Sequence, residues 1–157
     1  MTEPSLDPIQ VVCDRWFAAP PPLVFRAFTE RDLLERWFCP SPDVTVRVET
    51  CDPRPGGRYR FVFAFPDGRM VPVLGDYRTV TPSERLVFTW TWEPPDPWAG
   101  VVTEVTIDFV AKDGGTQVHV RHERFATIDM KAPHEAGWLT TLERLQPLLA
   151  RVATADR

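Results

Sequence analysis

Between Val44 and Phe125 the sequence keeps a period of two, and every break in that period carries residues that turn a chain. The alternating segments are Val44 to Thr50, Arg58 to Phe65, Arg69 to Thr81, Leu86 to Glu93, Val101 to Ala111 and Thr116 to Arg124. Between them lie Asp52-Pro53-Arg54-Pro55-Gly56-Gly57, Pro66-Asp67-Gly68, Pro82-Ser83-Glu84, the stretch Pro94 to Gly100, and Lys112-Asp113-Gly114-Gly115. Proline pre-sets the dihedral of a turn and glycine tolerates positive φ, so links of this kind reverse the chain between neighbouring strands. A parallel crossover needs a dozen or more residues, usually a helix, and these links have no room for one. The pattern predicts six strands in an antiparallel meander.

Alternation also assigns faces. Tyr59, Phe61, Phe63 and Phe65 share one side, joined by Phe88, Trp90 and Trp92, then Val105, Ile107 and Phe109, then Val118, Val120 and His122. This face is strongly aromatic. The opposite side carries Arg58, Arg60, Thr89, Thr91, Glu104, Thr106, Asp108, His119, Arg121 and Glu123 and reads as solvated.

An aromatic sheet face needs a cover. Ile9 to Ala18 reads as a first strand, stopped by Ala19-Pro20-Pro21-Pro22. Prolines are accepted in the first helical turn, and Leu23, Val24, Phe25, Ala27 and Phe28 follow as a short buried helix. Thr29-Glu30-Arg31-Asp32 resembles a capping box ahead of a second short helix presenting Leu33, Leu34, Trp37 and Phe38. Near the C-terminus, Pro133-His134-Glu135 reads as a helix start at which capping accounts for the histidine. From there Trp138, Leu142, Leu145, Leu149 and Val152 draw one apolar stripe at steps of three or four. That long helix is expected to lie across the aromatic face, with a kink or early break at Pro147. Residues 1–8 read as a disordered leader, 9–152 as a single domain and 153–157 as a tail.

Charge excludes several partners. With 18 Lys and Arg against 22 Asp and Glu, the formal net charge is -4, and the arginines are scattered among carboxylates. Nucleic acid and anionic membrane surfaces both select basic patches, so neither is expected. No apolar run approaches the roughly 20 residues of a spanning helix. Met1-Thr2-Glu3-Pro4 places acid and proline where a secretory signal needs basic and then apolar residues. A cytoplasmic protein is expected, and Cys13, Cys39 and Cys51 read as free thiols without the spacing of a zinc site.

A strand, two short helices, a meander and a long helix form the element order of the α+β helix-grip fold of START-like (SRPBCC) and birch-pollen-allergen-like proteins. Local words narrow the resemblance. Arg15-Trp16-Phe17-Ala18-Ala19-Pro20, Val24-Phe25-Arg26-Ala27-Phe28, Gly75-Asp76-Tyr77, Pro82-Ser83-Glu84-Arg85-Leu86-Val87-Phe88-Thr89-Trp90 and His134-Glu135-Ala136-Gly137-Trp138 fall in the order seen in the activator of heat-shock-protein-90 ATPase homologue family. The chain resembles that family from about Val11 to Val152. The resemblance implies a curved sheet of about seven strands gripping the long helix, and a space between them that takes an apolar small molecule.

The expected ligand-binding wall is Trp37, Phe61, Phe63, Tyr77, Phe88, Trp90, His122 and Trp138, with Trp92 nearer a mouth. The same aromatics also serve simply as core, since each large buried ring stabilises by about 1.5 to 3 kcal/mol. His122 and Tyr77 are the polar groups facing inward and the candidates for acid–base catalysis, though no positioned second group is visible. Their pairing would make the protein a cyclase- or hydrolase-like enzyme. The resemblance to a co-chaperone domain offers an interaction module instead, with a chaperone contact or a homodimer as partner. Trp98, in a proline-stiffened loop, reads as a cavity lid or a contact between subunits. His119 and His122 point to opposite faces and cannot chelate together, so neither metal nor cofactor is expected.

Overall fold

A computed structural model describes residues 9–155 of the chain. Residues 1–8, expected from the sequence to be a leader, and 156–157, at the end of the expected tail, lie outside the described residues. The strands are β1 (Gln10–Phe17), β2 (Thr45–Cys51), β3 (Arg58–Ala64), β4 (Met70–Thr81), β5 (Arg85–Trp92), β6 (Thr103–Lys112) and β7 (Gly115–Glu123). They form one antiparallel sheet in the order β1-β7-β6-β5-β4-β3-β2, a meander whose last strand returns to pair with the first.

Two bulges bend this sheet, between Val48 and Thr50 on β2 and between Tyr77 and Thr79 on β4. Near the second, Gly75 lets two strands approach so closely that a Cβ there would stand 1.9 Å from the Thr89 carbonyl oxygen. Only glycine fits, and the sheet curls at that point.

The solvated face is mostly as the alternation predicts, with cross-strand pairs such as Arg85–Asp108 and Arg60–Glu49. Thr89 and Thr106 are buried on it all the same. The Thr89 hydroxyl accepts from the Asp76 backbone N–H at the bulge, and Thr106 lies between Val87 and Arg121 on neighbouring strands.

Helix α1 (Pro21–Thr29) begins on prolines that need no backbone donor there. Helix α2 (Arg31–Trp37) follows without the expected capping box. The Thr29 hydroxyl instead turns back to the Phe25 carbonyl, one turn earlier, and the Glu30 carboxylate pairs with Arg26. Trp37 is fully buried, and its indole N–H bonds the Ala27 carbonyl at 2.8 Å, tying α2 to α1.

The C-terminal cover comes in two pieces, α3 (Lys131–Glu143) and α4 (Leu145–Ala155), after a single 3-10 turn at Ile128–Met130. The break at Arg144 has a cause in the sequence. Pro147 carries no N–H for the Glu143 carbonyl and its ring clashes with that carbonyl, so the first helix stops there. Pro147 itself then sits in the first turn of α4, where a missing donor costs little. Trp138, Leu142, Leu145 and Leu149 are buried along this cover and Val152 is half-buried.

Candidate functional site

The aromatic face is filled at one end and hollow at the other. Around Phe28, Leu34, Phe38, Tyr59, Phe61, Tyr77 and Phe88 the remaining space is about 10 Å³, room for no more than a water. Phe88 packs on Tyr59 and Tyr77 with ring centroids 5.5 and 6.0 Å away, and the Tyr59 hydroxyl donates to the Thr89 carbonyl. Helices α1 and α2 press their apolar sides onto this end, and burial pushes both tyrosine hydroxyls above their ordinary pKa.

At the other end a cavity of about 330 Å³ opens between the sheet and α3. Strands β3 and β5 supply Phe63, Trp90 and Trp92, with Phe65 just beyond β3. Helix α3 supplies His134, Gly137, Trp138 and Thr141. Loop 93–100 closes a side with Asp96 and Trp98, and Phe38 stands as the partition shared with the filled end. Some of these rings meet at steep angles, with Trp90 and Trp92 standing 86° apart at 5.3 Å between centroids and Phe38 73° from Trp138, while Trp90 and Trp138 are tilted by 44°.

Local chemistry fixes these walls. Asp96 accepts from the Trp98 backbone N–H at 2.8 Å, and the Gly100 N–H returns to the Trp92 carbonyl, so the loop is pinned to the strand it leaves. Trp92 donates its indole N–H to His134 Nε2 at 3.0 Å. An indole nitrogen only donates, so Nε2 carries no proton, and the proton on Nδ1 goes to the Met130 carbonyl at 2.7 Å. His134 is therefore a neutral imidazole with both nitrogens engaged. Burial pushes its pKa down, against the pull of that carbonyl and of the Asp96 carboxylate.

His122 lies one layer behind the wall, wholly buried. Its Nδ1 accepts from the Trp138 indole at 3.1 Å and its Nε2 faces the Thr103 hydroxyl at 2.7 Å. The Thr103 hydroxyl donates to the Trp90 carbonyl, so it accepts from His122, which carries its proton on Nε2. Burial, with His134 adding to it, holds His122 well below the ordinary imidazole range.

The structure thus divides the residues singled out by sequence. Phe63, Trp90, Trp92 and Trp138 surround the cavity; Phe61, Tyr77 and Phe88 belong to the filled end; Trp37 lies in the core, lining neither space. Tyr77 and His122 do not converge. The Tyr77 hydroxyl faces the Cys51 thiol at 3.6 Å, while His122 is surrounded by Thr103, Trp138, Trp90, Phe125 and His134. Trp98 lines the cavity. His134 is no capping residue: α3 begins at Lys131, and four residues before Trp138 is the same helix face. Carrying the apolar stripe back by one turn would have found it, and one residue short of Trp138 would have found Gly137. Among the described residues no three His, Cys, Asp or Glu side chains gather to hold a metal ion, and no helix is long and apolar enough to cross a membrane.

Comparison with known proteins points one way. Residues 18–150 match the family model described as Activator of Hsp90 ATPase homolog 1-like protein. A crystal structure of a protein from Nitrosomonas europaea is 29% identical with a TM-score of 0.77, covering 95% of this chain and 99% of that one. The AHSA1 protein of Silicibacter pomeroyi is 24% identical, TM-score 0.79, covering 90% and 97%. The solution structure of a protein from Arthrobacter aurescens is 18% identical, TM-score 0.82, covering 95% and 90%. The curated proteins yield no match.

Proposed function

The chain belongs to the Activator of Hsp90 ATPase homolog 1-like family, with a helix-grip fold, and from that premise we propose that it binds a small apolar or aromatic molecule in the 330 Å³ cavity beneath α3. The observation that carries this reading is an aromatic cavity that α3 leaves open by placing a glycine over it. Gly137 sits inside α3, where glycine costs about 1 kcal/mol against alanine, yet a Cβ there would meet nothing within 4 Å. Close-packed interiors leave few voids larger than a water. A ligand with ring or chain bulk fills this space.

No reaction is assigned to the cavity. The imidazole that lines it has both nitrogens engaged, and His122 is walled off behind Trp138. The three thiols are unpaired, which supports a cytoplasmic setting. Contact with a chaperone rests on the family name alone.

The test titrates the neutral fluorescent probe N-phenyl-1-naphthylamine into wild type and Gly137→Leu, whose added side chain enters the cavity. Saturable one-to-one binding with tryptophan quenching is expected for wild type, weakened about tenfold or more in Gly137→Leu while the variant stays folded. Absence of saturable binding to wild type, or equal binding to both, overturns the reading. Native mass spectrometry of freshly purified protein then identifies the mass of any molecule that co-purifies.

A further inference from the structure

The charge pattern of the cavity says more than its shape. Among the described residues Asp96 is the only one lining the cavity that has a formal charge, and no Lys or Arg lines the space. The lining imidazole is held neutral by two hydrogen bonds. Arg144 has a buried Nε without a partner, but it stands beside the Cys39 thiol and outside the lining. A net charge of -4 on the whole chain favours the approach of cations further.

The aromatic part of the wall is arranged to match. Trp92 and Trp98, both half-buried, flank His134 with ring centroids 6.3 and 5.5 Å from it, so they share the stretch of wall that the Asp96 loop closes. Phe63 stands 5.8 Å from Trp92, and Trp90 makes the perpendicular wall. Tryptophan has the most electron-rich ring face among the side chains, and several such rings with one carboxylate attract a weakly hydrated ammonium more than a neutral group. A carboxylate or phosphate would meet Asp96 and find no cation to pair with.

Resting on the ligand-binding reading above, we propose that the natural ligand is an apolar molecule carrying a substituted ammonium, its body among Phe38, Phe63 and Trp138 and its cationic head between Trp92, Trp98 and Asp96 at the half-buried mouth. Asp96 sets this specificity by charge, and the tryptophans by their ring faces.

The test uses three probes built on one biphenylmethyl body, followed by tryptophan quenching or calorimetry: (4-phenylbenzyl)trimethylammonium, its neutral carbon isostere 4-neopentylbiphenyl, and the anionic 4-biphenylacetate. The ammonium compound is expected to bind at least about tenfold more tightly than the carboxylate. Asp96→Asn keeps an oxygen for the Trp98 N–H, so the loop stays pinned, and it should lower ammonium affinity about five- to tenfold while leaving the neutral isostere within about twofold. Trp98→Leu should weaken the ammonium compound more than the isostere. If the carboxylate binds as well as the ammonium, or Asp96→Asn leaves ammonium affinity unchanged, the cationic head is wrong while the cavity reading stands. If none of the three binds, the cavity reading falls and takes this one with it.

Discussion

The two ends of the inner sheet face are built from the same kinds of residue and come out opposite. At one end Tyr59, Phe61, Tyr77 and Phe88 close to about 10 Å³; at the other Phe63, Trp90, Trp92 and Trp138 leave about 330 Å³. Aromatic content does not decide which. The cover does: α1 and α2 bring Phe28 and Leu34 down onto the first end, whereas α3 presents Gly137 to the second and the pinned loop holds Trp98 at its side. Packing is the role of the first region and vacancy that of the second, within one continuous core.

Phe38 touches both spaces, so removing its ring breaks the comparison most directly. Phe38→Ala is expected to destabilise by about 3 to 5 kcal/mol, the cost of a large buried ring lost to a cavity. It should also join the two spaces and admit bulkier neutral probes than wild type does. Urea unfolding with a probe-size series checks both. A small stability loss without a change in the size limit would show that Phe38 is not the partition.

Acid should distinguish the two ends next. His122 and His134 are held neutral in the fold with pKa values below the ordinary 6.5, and each is free to take a proton once unfolded. Unfolding therefore takes up protons as the pH falls below about 6.5, so the stability is fully present above that value and is lost downward from it. Thermal melts between pH 7.5 and 5 should show this slope, and His122→Gln should flatten it. Protonating His134 in the folded protein sets a proton against the Trp92 indole N–H, so Trp92 emission should change only at a pH below the onset of this slope. Among the described residues, none of those lining the Tyr77 end is a histidine. A flat melting profile below pH 6.5 would contradict this assignment of buried neutral imidazoles.

Strand positions were legible because alternation and turn residues report backbone geometry directly. Tyr59, Phe61 and Phe63 share the inward face as their parity requires, and His122 is inward and buried. Parity does not say what stands opposite each residue along the strand. It could not tell that Tyr77 meets the Cys51 thiol on β2 while Trp92 meets His134 on α3, because those partners lie far away in the sequence. The capping box at Thr29 failed for a related reason, since a hydroxyl that fits the next helix found the carbonyl of the previous one. Gly137 was visible as a letter and silent as a signal, because a missing side chain acquires meaning only when the space around it is known.

Substitutions that change little by design sharpen the contrast last. Gly137→Ala puts a methyl into open space on a helix interior, so it should raise stability by about 0.5 to 1 kcal/mol and reduce binding of probes that fill the cavity. Tyr77→Phe removes a hydroxyl whose contact is a 3.6 Å approach to the Cys51 thiol, at the filled end. A hydrogen bond to sulfur is weak, and both partners are removed from water, so the loss should stay under about 1 kcal/mol. Probe affinity at the hollow end should not move at all. Measured together, the pair gives one variant that stabilises the fold and weakens binding, and one that does neither. Should Tyr77→Phe change probe affinity, the two ends communicate through Phe38, and the partition between packing and vacancy would have to be drawn elsewhere.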